Sequence, residues 1–550
     1  MPQESPCQAI RFGTSGFRGR WGLEFTERVA RNIAQAICDY LLEDEDRTGD
    51  VLTIGYDSRQ HADEVARWCA QVALRNGFAV HLTSRDTPTP TLAYYARHVV
   101  GKDSAGVINC TCSHNPIDWQ GIKFSLRDGS IAPPTVTDFV SARATAYQCG
   151  ETVAPSGTNP ADTKRLESVD PLASYCEWVL ASGDSDCRIP LDHKRMHTYF
   201  RDKLVLIDEM HGTGRDYLRT LLDEIGVPYR VIHGERSPQL GGLRAANPEE
   251  PHIDTLRQAV REANAVLGVG LDTDADRYGI VDCGGAYVMP NAVLAMLTHY
   301  LGVERRLTGR VATTNVTTHL LEPIAAAIEG NDAYRPARGA KPMHLRDAEY
   351  RVLFGDPATM VTRNVFTVLT GLKYIIQAAQ MDPQYRILDP PPPDWMCRLL
   401  IGGEEASGLT TRGHVPDKDG IWADLLVMDM VAYYGKPLGK IWDDVQSTYG
   451  PSHTGRLNLP TQGGLAQAVL DEAMRHQTLA GLDVVYAARI GDGYAEFRLR
   501  SPDGTEANYL HVRLSGTEPL VRVYAETTTP DSLESLLQAV RGLAGAVDSA

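Results

Sequence analysis

Nowhere does this sequence hold an apolar run of the ~18 residues that a membrane-crossing helix requires, so a helical membrane protein is excluded. The first residues, Met1 to Ser5, carry neither the charged nor the apolar region of a secretory signal, and a soluble, cytoplasmic protein is expected. Positive charge is in deficit: 54 lysines and arginines face 70 aspartates and glutamates, a net charge of −16. No nucleic acid and no membrane surface is therefore expected as a partner, and an anionic ligand would need a locally basic cleft. Cysteine is sparse. Ten are scattered through 550 residues, and the one close pair, Cys110 and Cys112, offers too little for a metal site, so free thiols are expected rather than a zinc or disulfide framework.

What is present is length enough for three or four domains at ~150 residues each, and a returning strand-helix-strand rhythm. Thr26–Leu42 places Val29, Ile33, Ile37 and Leu41 on one helical face. Strand Val51–Gly55, an amphipathic helix ending at Asn76-Gly77, and strand Phe78–Leu82 then make a βαβ unit. The rhythm returns from Leu204–Asp208 through a helix closing at Ile225-Gly226 to Tyr229–Ile232. It returns again from Val311–Thr314 through Leu320–Ile328 to a strand near Tyr350–Phe354. Glu151–Thr163, rich in Pro, Ser, Gly, Asn and Thr, reads as a linker, with a helix at Leu172–Leu180 behind it. Past Tyr449 a helix at Leu465–His476, alternating strands Tyr494–Arg500 and Leu510–Leu514, and a closing helix from Leu533 suggest a smaller unit of another kind. The expected fold is α/β: three related α/β domains with mixed sheets at 1–165, 166–295 (opening with a linking helix and loop) and 296–448, then an α+β domain at 449–550.

The chemistry-bearing residues lie on loops that follow apolar runs. Ala105–Cys110 reads as a buried strand, so Ser113 falls just past its carboxyl end, where open α/β sheets place their chemistry. Beside His114, stiffened by Pro116 and within loop reach of Lys123, that serine reads either as a nucleophile or as part of an ordinary turn. Ile10–Arg20 combines three glycines with three arginines, Arg18 among them, and is either a phosphate-binding loop or a solvated arm. Ala265–Leu271 runs straight into Asp272, Asp274 and Asp276, and three hard carboxylates at alternate positions can converge on Mg²⁺ or Ca²⁺. An EF-hand is excluded, because its sixth and twelfth positions would be Arg277 and Cys283 here instead of Gly and Glu. Arg277 beside the carboxylates suits an anion next to the metal, and metal, phosphate and serine together point to phosphoryl transfer. Gly402–Gly408 offers Glu404 and Glu405 on a glycine-rich loop fit to accept hydrogen bonds from sugar hydroxyls, with Lys373 upstream in the same domain. Arg513, Ser515, Gly516 and Thr517, with Arg522, have the parts of a phosphate cradle but lack the Gly-Lys-Ser/Thr of an ATPase loop.

In this order, Phe12–Arg18, the serine loop, Asp272–Arg277, Gly402–Gly408 and Arg513–Pro519 resemble the α-D-phosphohexomutase superfamily, and within it the phosphoglucomutases. The resemblance covers nearly the whole chain and implies four domains around a central cleft, each contributing one loop. It implies a phosphoserine at Ser113, Mg²⁺ held by Asp272, Asp274, Asp276 and a phosphoserine oxygen, and acid/base work by His114 and Lys123. Arg18 and Arg277 would stabilise the transferring phosphate, Glu404 and Ser407 would read the sugar, and Arg513, Ser515, Gly516 and Thr517 would grip the non-reacting phosphate. The implied reaction interconverts glucose 1-phosphate and glucose 6-phosphate through glucose 1,6-bisphosphate, in a monomer or homodimer. Gly402-Gly-Glu-Glu405 leans toward glucose, with mannose phosphate as the alternative. Cys112, Asp118-Trp-Gln120 and Leu520 depart from the usual pattern, and Pro390–Pro393 reads as a stiff insertion. A Mg²⁺-dependent sugar-phosphate phosphatase and a non-catalytic sugar-phosphate sensor are the readings from other classes.

Overall fold

The computed structural model describes residues 9–13, 16–44, 47–150, 162–181, 183, 187–328, 365–380, 395–460, 465–489, 493–514 and 520–548. The chain divides into two compact units: residues 1–290, 371–380 and 390–438 form one, and 291–370, 381–389 and 439–550 form the other.

The first unit opens with a six-stranded sheet of order β1-β5-β4-β2-β3-β6. Its strands are β1 (Phe17–Arg20), β2 (Val51–Tyr56), β3 (Ala79–Thr83), β4 (Ser104–Cys110), β5 (Trp119–Ser125) and β6 (Leu166–Val169). The helix Glu27–Glu43 begins where the Thr26 side chain accepts from the Val29 N–H, and it buries Val29, Ile33, Ile37 and Leu41, the face its periodicity predicts. With the helix Ala62–Arg75 it covers a core that includes Leu52, Ile54, Val80 and Ile108. β2 pairs parallel with β3, so the first βαβ unit stands as expected. β4 is buried at all seven positions because β2 flanks it on one side, in parallel, and β5 on the other, antiparallel. The serine loop therefore joins two neighbouring strands, and β5 carries Lys123 back opposite Asn109.

The second sheet has order β11-β10-β9-β7-β8, with β7 (Val205–Asp208), β8 (Tyr229–Ile232), β9 (Leu267–Leu271), β10 (Tyr278–Asp282) and β11 (Tyr287–Val288). β7, the helix Tyr217–Ile225 and β8 form the second parallel unit. β9 is again wholly buried and pairs antiparallel with β10, Leu271 opposite Tyr278, so the aspartates occupy a hairpin loop. The two loops of interest thus have one construction: a central apolar strand, a short polar loop, and an antiparallel return.

In the second unit β12 (Arg310–Thr314) precedes the helix Leu321–Ala327 and pairs parallel with β13 (Phe366–Val368). The strand expected near Tyr350 lies outside the described residues, as does most of the expected linker. In the first unit β14 (Leu399–Gly403) and β15 (Leu409–Thr411) form a hairpin around Glu404–Gly408. The second unit closes with the antiparallel order β16-β21-β20-β19-β18-β17. These strands are β16 (His453–Pro460), β17 (Thr478–Leu479), β18 (Leu482–Arg489), β19 (Tyr494–Arg500), β20 (Asn508–Leu514) and β21 (Leu520–Thr527), with the helices Leu465–Ala473 and Pro530–Asp548.

One expectation is corrected. The cysteines are not all free thiols: Cys187 and Cys397 are joined in a disulfide with their Cα atoms 5.6 Å apart. They stand 210 residues apart in the chain, so spacing carried no sign of the pair. Among the described residues no helix is long and apolar enough to cross a membrane.

Candidate active site

Ser113 adopts a left-handed backbone (φ 53°) at the carboxyl end of β4 and is completely buried. Its Oγ donates to Asp272 Oδ2 at 2.8 Å, and it lies 3.3 Å from His114 Nδ1. This contact joins two loops 159 residues apart. Asp272, Asp274 and Asp276 each offer an oxygen within 4.8 Å of the others. Lys123 Nζ donates to Asp274 Oδ2 at 2.6 Å and to Asp276 Oδ2 at 2.8 Å. Asp274 Oδ1 and Asp276 Oδ1 are buried without a hydrogen-bond partner, a costly state that a divalent cation would relieve.

Electrostatics separate the groups. Burial, with Asp274 and Asp276 close by, pushes the Asp272 carboxyl well above its ordinary value. For Asp276 burial acts upward too, but Lys123, Lys418 and Arg277 outweigh it and hold the carboxylate ionised. Burial works against the Lys123 ammonium, yet Asp274, Asp276 and Asp417 hold it above its ordinary value. His114 goes the other way: burial, then the Arg277 and Arg18 guanidiniums, keep its imidazole neutral far below the usual range.

The remaining expected residues divide. Arg18 reaches the serine loop, donating to Asn115 Oδ1 at 2.6 Å. Arg277 continues the acidic loop, its N–H on Asp272 Oδ1 at 3.1 Å and its Nε 3.8 Å from Asp276 Oδ1. Glu404 is buried, and that burial raises its carboxyl. The Ser407 hydroxyl donates to Glu249 at 3.2 Å, while its carbonyl accepts from the Tyr278 N–H. Lys373 is buried over the Tyr374 ring, its ammonium lowered by burial, and nothing described brings it to the carboxylates. Arg513 and Arg522 stand directly opposite each other on β20 and β21 in the other unit. Ser515, Gly516 and Thr517 lie outside the described residues.

Three residues were missed by the sequence reading. Lys418 Nζ lies 3.2 Å from Asp276 Oδ2, and burial pushes its neighbour Asp417 up to about 7. The signal was available in His414–Gly420, an acidic-basic alternation just before an apolar helix. Thr89 donates its hydroxyl to Asp274 Oδ2 and its N–H to the Asp274 carbonyl. Arg59, at the carboxyl end of β2, contacts the serine loop from beneath.

Four family profiles match the chain. Those of phosphoglucomutase/phosphomannomutase alpha/beta/alpha domains I, II and III cover residues 9–149, 193–285 and 356–449, and that of the C-terminal domain covers 479–543. A phosphoglucomutase from Komagataeibacter xylinus is 24% identical, with 94% of this chain and 88% of the relative covered. A phosphoglucosamine mutase from Salinispora tropica is 25% identical, with 96% and 98% covered. Among solved structures, a Thermus thermophilus protein provisionally assigned as a phosphomannomutase superposes with a TM-score of 0.71 at 25% identity, covering 98% of this chain and 100% of that one.

Proposed function

The chain belongs to the phosphoglucomutase/phosphomannomutase family, and on that premise we propose that it interconverts α-D-glucose 1-phosphate and glucose 6-phosphate through a phosphorylated Ser113 and glucose 1,6-bisphosphate. The observation that carries the reading is the 2.8 Å contact between Ser113 Oγ and Asp272 inside a cluster of three buried aspartates. Asp272, Asp274 and Asp276 fit Mg²⁺, which when bound neutralises charge on a transferring phosphoryl group.

The transfer breaks the bond between Ser113 Oγ and phosphorus and forms one from phosphorus to a sugar oxygen. The sugar hydroxyl releases its proton, and Ser113 Oγ ends as a hydroxyl. That proton is the one Ser113 Oγ takes up, and neutral His114, 3.3 Å from Ser113 Oγ, is suited to relay it. Lys123, held cationic by two carboxylates, supplies charge rather than basicity. Arg18, bonded to the serine loop, and Arg277, on the acidic loop, suit the phosphoryl oxygens. Glu404 is the acceptor for sugar hydroxyls. Ser407, its hydroxyl donated to Glu249, acts first through its backbone and the turn it holds at φ 61°.

The bisphosphate must turn around between two transfers, which calls for a second phosphate grip. Arg513 and Arg522, opposite each other on β20 and β21, carry guanidinium forks of the kind that hold a phosphate. The test offers purified protein, Mg²⁺ and a trace of glucose 1,6-bisphosphate with either glucose 1-phosphate or mannose 1-phosphate. A strong preference for glucose is expected. Comparable rates would make it a dual mutase, and inorganic phosphate without isomerised product would make it a phosphatase.

A further inference from the structure

The segment Asp57-Ser58-Arg59 has no part in the reaction as derived, yet it is among the most buried charge in the chain: the Arg59 and Asp57 side chains are 0% exposed. β2 and β4 are parallel neighbours, with Tyr56 opposite Cys110, so their exit loops leave the sheet side by side. Arg59 spans the gap. Its Nη2 donates to the carbonyls of Ser113 and Asn115, both at 2.5 Å, and its Nη1 to that of Pro116 at 2.7 Å. The same Nη2 lies 3.4 Å from Thr273 Oγ1, between Asp272 and Asp274 on the acidic loop. Asp57 completes the arrangement: Oδ1 accepts from the Arg59 N–H at 3.0 Å, and Oδ2 accepts from the Thr111 hydroxyl at 2.6 Å. Thr111 Oγ1 in turn accepts from the Ser113 N–H at 2.9 Å.

Both backbone groups of Ser113 are thus tied to one buried ion pair, its N–H through Thr111 and Asp57, its carbonyl through Arg59. The residue so held is a serine in the left-handed region (φ 53°), a conformation that persists where surroundings over-determine it. A planar fork of N–H donors can meet three carbonyls in one plane, and a single ammonium cannot. Resting on the reading of Ser113 as phosphoryl donor, we propose that Arg59 is a positioning residue for the transfer, locking the serine loop against the acidic loop without touching substrate.

The test compares Arg59→Lys with wild type in steady-state kinetics and in the rate at which glucose 1,6-bisphosphate phosphorylates Ser113, read by quenched-flow mass spectrometry. A displacement of about 1 Å at reacting atoms costs about 100-fold in rate. We therefore expect kcat and the Ser113 phosphorylation rate to fall by about that factor, KM for glucose 1-phosphate to stay within about threefold, and added guanidinium to restore part of the rate in Arg59→Ala. Should the arginine variants fail to fold, Thr111→Val, which removes the Ser113 N–H acceptor at constant shape, must show the same kcat-only loss. Wild-type kcat in Arg59→Lys, or a rise in KM at constant kcat, overturns the inference. A wild-type protein whose Ser113 never takes a phosphoryl group refutes the functional reading instead, and the positioning role falls with it.

Discussion

Replacing Lys123 with methionine separates the charge balance of the acidic cluster from its chemistry. In the native arrangement the ammonium lies 2.6 and 2.8 Å from Asp274 and Asp276. At an effective dielectric constant of about 20, each such contact amounts to about 6 kcal/mol of attraction. Desolvation of ammonium and carboxylates offsets most of that, and breaking a buried pair costs about 3–5 kcal/mol net. Lys418 still faces Asp276 at 3.2 Å, so Asp274 bears the larger loss. Without metal the variant should therefore melt about 5 °C lower, taking roughly 1.4 °C per kcal/mol for a unit of this size. Mg²⁺ should recover much of this, since a ligand at 100 times its Kd adds about 2.7 kcal/mol and the variant offers the ion one less competing cation. The assay is scanning calorimetry of wild type and variant across a Mg²⁺ series, with chelator as the zero point. A variant that melts with wild type in chelator, or gains no more from Mg²⁺ than wild type does, refutes the account of the cluster.

Further outcomes follow from the structure. Glu526 accepts from Thr318 Oγ1, Ser452 Oγ and the His319 N–H, at 2.6, 2.6 and 2.8 Å. Burial acts to raise its carboxyl, and these donors with His319 outweigh it and hold it below its ordinary value, so its stabilisation is complete above about pH 4.5 and fades as pH falls through the lowered value. Glu526→Gln should cost about 2–4 kcal/mol at neutral pH and flatten the acid limb of the melting curve, checked by melts across pH. Gly212→Ala would set a Cβ 2.6 and 2.9 Å from the carbonyls of Asp272 and Thr273, costing about 1–3 kcal/mol and raising the Mg²⁺ requirement in a titration of activity. Gly542→Ala, whose Cβ meets nothing within 4 Å on the closing helix, is the control and should be neutral or slightly stabilising. Cys187→Ser should remove a cross-link closing a long loop and lower the melting temperature of the oxidised protein, read by melts without reductant.

The elements that present the site were legible because each is an apolar run ending in a polar loop: Ala105–Cys110 became β4 and Ala265–Leu271 became β9. Periodicity likewise marked the helix Glu27–Glu43 and both described βαβ units. The meeting of the two loops was implied by the family resemblance alone and not by residue spacing, since the bond from Ser113 to Asp272 depends on sheet order and on how two sheets pack. Arg59 carries no motif that marks it, and its reach to the serine loop follows from β2 lying beside β4. Lys373 was expected only to bring an ammonium into its domain's cleft, and the sequence did not show that it sits on the helix Leu372–Gln380 with its ammonium over the Tyr374 ring. The Cys187–Cys397 pair shows the same limit: contacts between distant segments belong to packing, which residue spacing does not encode.

The most direct test of the central claim follows one phosphoryl group. Protein is loaded from isotopically labelled glucose 1,6-bisphosphate in Mg²⁺, freed of sugar, and given unlabelled glucose 1-phosphate while label is tracked by peptide mapping and product separation. The account predicts label on Ser113 alone, then in sugar bisphosphate and glucose 6-phosphate, with none taken up by Ser113→Ala. Label on another residue, label released only as inorganic phosphate, or undiminished turnover in Ser113→Ala would contradict it.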